Sequence, residues 1–325
     1  MRRAMDARNQ DTLVVLGPTA SGKTRLGVAL ARELGGEILS ADSRQVYRML
    51  DIGTGKDLHE YRQGGPEVAV HLIDLVDPAE EFNLFQFQRR FFEAWEAVRS
   101  RGALPVVVGG TGLYLDSVLR GYQLVDAPEN PALRQELASW PSERIKDRLR
   151  EVKGRLHSVA EVMSHERLVR ALEIALFSRE HPQVSIPRIS PLILGTHWNR
   201  EVLRQRIRVR LGERLDQGLI EEVDKLHAAG ISWARLEALG LEYRFVAEFL
   251  QHKIQTRDEL VKRLGIAIGQ FAKRQESWFR RMERMGIEIH WIEQGEPELA
   301  RKVVREASLV RAGQGGRQAG RAGGP

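Results

Sequence analysis

No cysteine occurs among the 325 residues. Disulfides and thiolate metal sites are therefore excluded. Missing too is any run of about 18 apolar residues, so no spanning helix is expected. The N-terminus, "MRRAMDARNQ", carries charge with no apolar segment of leader length behind it; the following "TLVVLG" is too short for one. A cytoplasmic protein with no membrane contact is the expectation. Neither an internal repeat nor an N-K-x-D element for reading guanine is present. What is present is 42% hydrophobic residues, enough for a sizeable core and one or two domains. Lys and Arg total 50 against 44 Asp and Glu, a net charge of +6. A solvated surface and a nucleic-acid partner both fit that excess, and only the distribution of the charge separates them.

The stretch Gly17-Pro18-Thr19-Ala20-Ser21-Gly22-Lys23-Thr24 follows the apolar run "TLVVL". It fits G-x-x-x-x-G-K-[ST], a loop whose backbone N–H groups wrap a phosphate chain. Lys23 would neutralise that chain, and the Thr24 hydroxyl would meet Mg2+. A strand before it and a helix "KTRLGVALARELG" after it supply the context the motif needs. Further along, "EILSADS", "VAVHLIDLVD" and "ALPVVVGG" read as strands; "FNLFQFQRRFFEAWEAVRSRG" and "TGLYLDSVLRG" read as helices. This alternation predicts an α/β fold, a P-loop-type parallel sheet covered by helices. The texture changes over 126–189, which is helical, charged and free of strand signals, and an inserted all-helical domain is predicted there. Residues 1–125 then form the first part of the core. Residues 190–311 form its second part, with a strand at "SPLILGTHW", two long basic helical stretches and a late strand at "IEIHWIE". The Gly/Arg-rich end, 312–325, is expected to be disordered.

Three sets of residues could carry chemistry. Asp42 ends a strand on the phosphate side of the sheet. It fits a turn residue, a general base, or a group one step removed from Mg2+. Along "REVLRQRIRVRLGER", Leu203, Ile207, Leu211 and Leu215 form an apolar seam. Arg206 and Arg210, one turn apart beside it, suit a pyrophosphate by paired guanidinium bonds, or else form a solvated face. In "DELVKRLGIAIGQFAKRQESWFRRMER", a helical stripe runs through Leu260, Leu264, Ala267, Phe271, Trp278 and Met282. Opposite it lie Lys262, Arg263, Lys273, Arg274, Arg280, Arg281 and Arg284, a face suited to a polyanion. The strand "LPVVVGG" ends in Gly109-Gly110 with no carboxylate, unlike the usual NTP hydrolase.

Taken together, "GPTASGKT", "SADSRQVYRMLDIGTGK", "HLIDLVDP", "FNLFQF", "VVGGTGLYLDSVL", "RLVRALEI" and "FAKRQESWFRR" resemble the tRNA dimethylallyltransferase family, in its order and over about residues 12–295. The resemblance implies transfer of the dimethylallyl group of dimethylallyl diphosphate to the exocyclic amine of an adenosine. That adenosine lies immediately 3′ of the anticodon in tRNAs reading codons that begin with U. Also implied are Mg2+, an inserted domain gripping the anticodon stem-loop, and a monomer. Asp42 becomes the base, with Lys23 and Thr111 beside it, and the loop with Arg206 and Arg210 the diphosphate site. Contacts to tRNA fall on Asp42, Ser43, Arg44, Gln45, Thr111, Arg134, the "ERLVR" run (Glu166, Arg167, Leu168, Val169, Arg170), Lys273, Arg274 and Gln275. No attacking water is needed, which would account for the bare Gly109-Gly110. The sequence departs from the common pattern at Gly240-Leu241-Glu242-Tyr243-Arg244, at Ser164-His165-Glu166 and at "GTGKD", the last read as a loop variation. A P-loop small-molecule kinase is the rival reading, and an RNA-binding nucleotide switch is third.

Overall fold

The computed structural model describes residues 10–153, 164–181, 186–307 and 309. The 312–325 tail lies outside them. The chain divides into two compact units, 1–120 with 188–325, and 121–187; the sequence reading set these limits at 126 and 189.

The larger unit is built on six parallel strands: β1 (Thr12–Leu16), β2 (Gly36–Ala41), β3 (Val70–His71), β4 (Leu104–Gly109), β5 (Pro191–His197) and β6 (His290–Glu293). Their order is β3-β2-β4-β1-β5-β6. Every residue of β1 and β4 is buried, as apolar runs covered on both faces require. Helices α1 (Lys23–Leu34), α2 (Leu84–Ser100) and α3 (Gly112–Leu119) follow β1, β3 and β4. In the smaller unit, α4 (Pro131–Leu137), α5 (Ser142–Lys153) and α6 (His165–Glu180) pack around Leu137, Ile145, Leu149, Leu168 and Leu172.

The expected third strand is only two residues long. Left-handed backbone at Leu72 and Asp74 ends it. The chain then bends to bond Leu75 and Val76 N–H to the Val46 carbonyl. Between β5 and β6, the two helical stretches of the sequence reading are five helices: α7 (Arg200–Asp216), α8 (Leu219–Ala228), α9 (Trp233–Ala238), α10 (Leu241–Leu250) and α11 (Arg257–Arg284), with α12 (Pro297–Glu306) after the sheet. Leu203, Ile207, Leu211 and Leu215 do form the buried seam of α7. On α11 the seam departs from the expected stripe. It runs Leu260, Leu264, Ile268, Ala272, Gln275, Phe279 and Met282, while Phe271 is exposed. Steps of four and three residues keep this seam on one face of the 28-residue helix.

Register sets the position of the site. Leu16 pairs with Gly109, Gly109 with Ala41, and Leu16 with Gly195. The segments leaving β1, β2 and β4 therefore emerge level, at one edge of the sheet. A loop over 51–55 faces that edge, held from behind by Glu222 of α8. This carboxylate accepts the N–H groups of Asp51 (3.1 Å), Ile52 (2.8 Å) and Gly53 (3.1 Å) and the Tyr243 hydroxyl (2.6 Å). One carboxylate satisfying four donors is a concentrated anchor. Glu222→Ala should lower unfolding stability by about 2–4 kcal/mol, and Tyr243→Phe by about 1. Urea denaturation measures both, and a loss under about 0.5 kcal/mol for Glu222→Ala would mean the loop is fixed by other contacts.

Candidate active site

The P-loop spans β1 and α1 with left-handed backbone at Ala20 and Gly22. Gly17 is a steric necessity, because a Cβ there would lie 2.0 Å from Thr196 Oγ1. The back of the loop is fastened to the protein. Thr196 donates to Ser21 Oγ at 2.6 Å, Trp198 Nε1 to the Ser21 carbonyl at 2.8 Å, and Arg206 Nε to the Ala20 carbonyl at 2.8 Å. Ala20 and Ser21 are buried. Lys23 donates to the Pro18 carbonyl at 3.3 Å.

In front of the loop lies a cavity of about 500 Å³. Thr19, Lys23 and Thr24 line one side, Asp42 to Gln45 and Gly110 to Gly112 another. Arg210 and Arg214 enter from α7, and Phe271, Arg274, Gln275 and Trp278 from α11. Asp42, Lys23 and Thr111, widely spaced in sequence, are brought together. Asp42 is bonded as a turn residue. Its Oδ1 accepts the Arg44 N–H at 2.9 Å, and among the described residues nothing bonds Oδ2. Thr111 Oγ1 accepts the Ser43 N–H at 3.0 Å, tying the β4 and β2 turns together.

The arginines differ from expectation. Arg206 stacks its guanidinium 4.1 Å from the Trp198 ring and is spent on the back of the P-loop, not on the cavity. The pair that lines the cavity is Arg210 and Arg214. Arg210 donates to the Thr19 hydroxyl. Arg214, which the sequence reading passed over, donates to the Gly53 carbonyl at 3.2 Å and pairs with Glu242 at 3.3 Å. Its signal in the sequence is the same four-residue spacing. Gly55 makes room for it, since a Cβ there would sit 1.8 Å from an Arg214 nitrogen.

Several other expected contacts are structural. Gln45 is buried, donating to the Gly55 carbonyl and accepting from Ser40. Gln275 is buried and bonded on both sides. Lys273 is exposed and outside the cavity lining. In the smaller unit, Leu168 and Val169 belong to the core and present no surface to a strand. Arg134 and Arg170 grip Glu173 at 2.8 and 3.1 Å. Burial alone would raise that carboxylate, but hydrogen bonds from Arg134, the Asn130 amide and Arg170 hold it below its ordinary range. Glu166 and Arg167 are exposed. The "GTGKD" variation has structural content: Lys56 is buried, bonding Asp51, Asp74 and the Tyr47 carbonyl, while Asp57 lines the cavity.

The bare end of β4 has a packing reason. A Cβ on Gly109 would lie 2.3 Å from the Ala41 carbonyl oxygen, one on Gly110 2.4 Å from Gln275, and one on Gly112 2.4 Å from the Trp278 ring. The Trp278 indole N–H, buried beside the cavity, has no hydrogen-bond partner among the described residues.

Electrostatically the cavity favours an anion. Burial pushes Lys23 down to about 8; Asp42 opposes this, Arg210 and Arg214 add to it, and Asp57 opposes. Burial, then Arg214, pushes Arg210 down to about 10 against Asp57, Glu242 and Asp42. The hard oxygens of Thr24, Asp42 and Asp57 suit Mg2+. Among the described residues no group of three or more His, Asp or Glu forms an ion cage. Mg2+ that shares a hydroxyl and a ligand's phosphate oxygens needs none.

A P-loop facing a carboxylate across a cationic cavity defines a phosphate-handling enzyme of the P-loop class. Comparison narrows it. A family model described as IPP transferase matches residues 45–282, and one described as isopentenyl transferase matches 10–68. The tRNA dimethylallyltransferase 1 of Syntrophus aciditrophicus is 55% identical over 289 residues, 87% of this chain and 94% of its own. That of Geotalea daltonii is 55% identical over 288 residues, covering 89% and 92%. The crystal structure of the full-length tRNA isopentenylpyrophosphate transferase from Bacillus halodurans matches with a TM-score of 0.65 at 32% identity, over 91% of this chain and 94% of that one. A eukaryotic dimethylallyltransferase shares the fold, with a TM-score of 0.73 at 22% identity, over 92% and 77%. The chain belongs to the IPP transferase family, the tRNA dimethylallyltransferases.

With burial pushing Lys23 down to about 8, pyrophosphate binding should require its protonated form and, near and above that pH, take up a proton. Affinity should fall as pH rises through about 8, by up to about tenfold per unit beyond it. Lys23→Arg, charged throughout, should flatten the fall. Calorimetry from pH 6.5 to 9.5 on both proteins tests this; parallel profiles would mean Lys23 does not titrate at the site.

Proposed function

We propose that the chain transfers the dimethylallyl group of dimethylallyl diphosphate to the exocyclic amine of the adenosine immediately 3′ of the anticodon, in tRNAs reading codons that begin with U, releasing pyrophosphate. It acts as a cytoplasmic monomer on the anticodon stem-loop. The observation that carries this reading is the placing of Asp42 and Lys23 on one cavity with Arg210 and Arg214. The smaller unit, 121–187, is the proposed tRNA-gripping domain. Among the described residues no helix is long and apolar enough to cross a membrane.

The adenine amine is a weak nucleophile, its lone pair delocalised into the ring. Asp42 Oδ2 takes its proton as the new C–N bond forms and the allylic C–O bond breaks. Lys23, Arg210 and the P-loop amides from Ala20 onward hold the diphosphate and take up its growing charge. Arg214 lines the same cavity and adds its positive charge to the field that meets the leaving group. Thr111 holds the turn that presents Asp42, and the target base is splayed out into the cavity. Thr24 would hold Mg2+, which when bound supplies further charge neutralisation on the diphosphate. Phe271 and Trp278 give the cavity an apolar wall suited to a prenyl tail or a base. Lys273 and Arg274, exposed on α11, hold the RNA backbone.

Mass spectrometry of tRNA nucleosides after incubation with dimethylallyl diphosphate and Mg2+ should find one prenylated adenosine per substrate tRNA; unmodified adenosine throughout would refute the assignment. Asp42→Ala should reduce single-turnover transfer about 10²–10⁴-fold with little change in tRNA affinity. Near-normal chemistry in that variant would remove Asp42 from the mechanism. Replacing Lys273 and Arg274 together with Ala should weaken tRNA binding and lower the log–log salt slope by about 0.7–0.9 per lost phosphate contact. An unchanged slope would leave this face merely solvated.

A further inference from the structure

Gln275 lies on the buried seam of α11, between exposed Lys273 and Arg274 on one side and half-buried Glu276 on the other. Its side-chain amide reaches two loops far away in sequence. Oε1 accepts the Thr19 N–H at 2.8 Å, and Nε2 donates to the Gly110 carbonyl at 2.8 Å. The two partners fix the amide's orientation, since one is a donor and the other an acceptor. Each loop holds part of the chemistry. Thr19 is the P-loop residue whose hydroxyl receives Arg210. Gly110 precedes Thr111, whose hydroxyl holds the Ser43 N–H next to Asp42. The bridge therefore spans from the diphosphate side of the cavity to the base side.

The surrounding sequence is built for it. At Gly110 a Cβ would lie 2.4 Å from Gln275 Nε2, so only glycine lets the amide reach the carbonyl. The bridge also engages the Thr19 amide, one of the loop N–H groups that the motif alone would assign to phosphate. No other side chain of this length offers one donor and one acceptor in a single plane. Glutamate brings two acceptors unless protonated, and asparagine is shorter by a methylene.

We propose that Gln275 is a positioning residue that sets the span between the P-loop and the Thr111 turn, and so the distance between the allylic carbon and the amine that attacks it. Misplacement by about 1 Å at a reacting centre costs on the order of 10²-fold in rate. The rate arms of the test rest on the prenyl-transfer reading; the exchange arm does not.

Hydrogen exchange on the whole chain should show the Thr19 amide protected, and in Gln275→Ala exchanging at least about tenfold faster. In single-turnover prenyl transfer Gln275→Ala should lose about 10–100-fold, with tRNA affinity within about twofold of the parent. Gln275→Glu supplies a readout that a merely structural role would not move. Its carboxyl must be protonated to donate to the Gly110 carbonyl, and burial favours that form. The ratio of its rate to the parent's, which cancels the pH dependence they share, should rise as pH falls from about 8 to about 5.5. Gly110→Ala should displace the amide from the other side, and its penalty should shrink in the Gln275→Ala background. Unchanged Thr19 exchange, a flat Glu-to-parent ratio, or fully additive penalties would each overturn the proposal. A parent chain that fails to prenylate tRNA would sink the proposed function instead, with the exchange result still deciding the bridge.

Discussion

Positive charge kept out of water with too little negative charge beside it is the constraint on which this site depends. Lys23, Arg44, Arg210, Arg214, Arg244 and Arg274 line one cavity, and the protein answers these six cations with four carboxylates, Asp42, Asp57, Glu237 and Glu242. Both Lys23 and Arg210 are pushed below their ordinary ranges, so the fold carries an electrostatic cost in the absence of a ligand. A diphosphate brings the missing charge, and the cations are already in place when it arrives. Much of the surrounding architecture serves to hold them there: Glu222 anchors the 51–53 segment, Gly55 yields space to Arg214, and the α7 seam fixes the helix that carries Arg210 and Arg214.

The sheet and its P-loop were legible because their signals are local. A buried β-branched run followed by G-x-x-x-x-G-K-T can be satisfied in few ways. The α7 seam was legible for the same reason, four residues at helical spacing. The ends of β3 were not, since they depend on left-handed turns at Leu72 and Asp74, and leucine has no liking for that conformation. On α11, hydrophobicity misled. Phe271 and Trp278 are more apolar than Ala272 and Gln275, yet they line the cavity while the alanine and the glutamine take the buried seam. A buried glutamine is invisible to an apolar template, because its place is secured by hydrogen bonds to two distant loops.

Glycine spacing shows the same limit in another form. From sequence, Gly109-Gly110-Thr111-Gly112 reads as a strand end lacking a carboxylate. In the structure each glycine admits a particular neighbour: the Ala41 backbone, the Gln275 amide and the Trp278 ring. The two readings are compatible in chemistry, but the second is a statement about distance that no single-sequence pattern contains. The choice between Arg206 and Arg214 was likewise a question of which side of the P-loop the helix passes, and only Trp198 and the Ala20 carbonyl, docked behind the loop, answer it.

The central claim is that the cationic cavity receives an allylic diphosphate and not a nucleotide. It is tested most directly by following phosphate products during single-turnover reaction with tRNA and Mg2+. With dimethylallyl diphosphate and no nucleotide present, pyrophosphate should appear one for one with prenylated adenosine. Formation of ADP from ATP, dependent on a small hydroxylated acceptor and without prenyl transfer, would contradict the account.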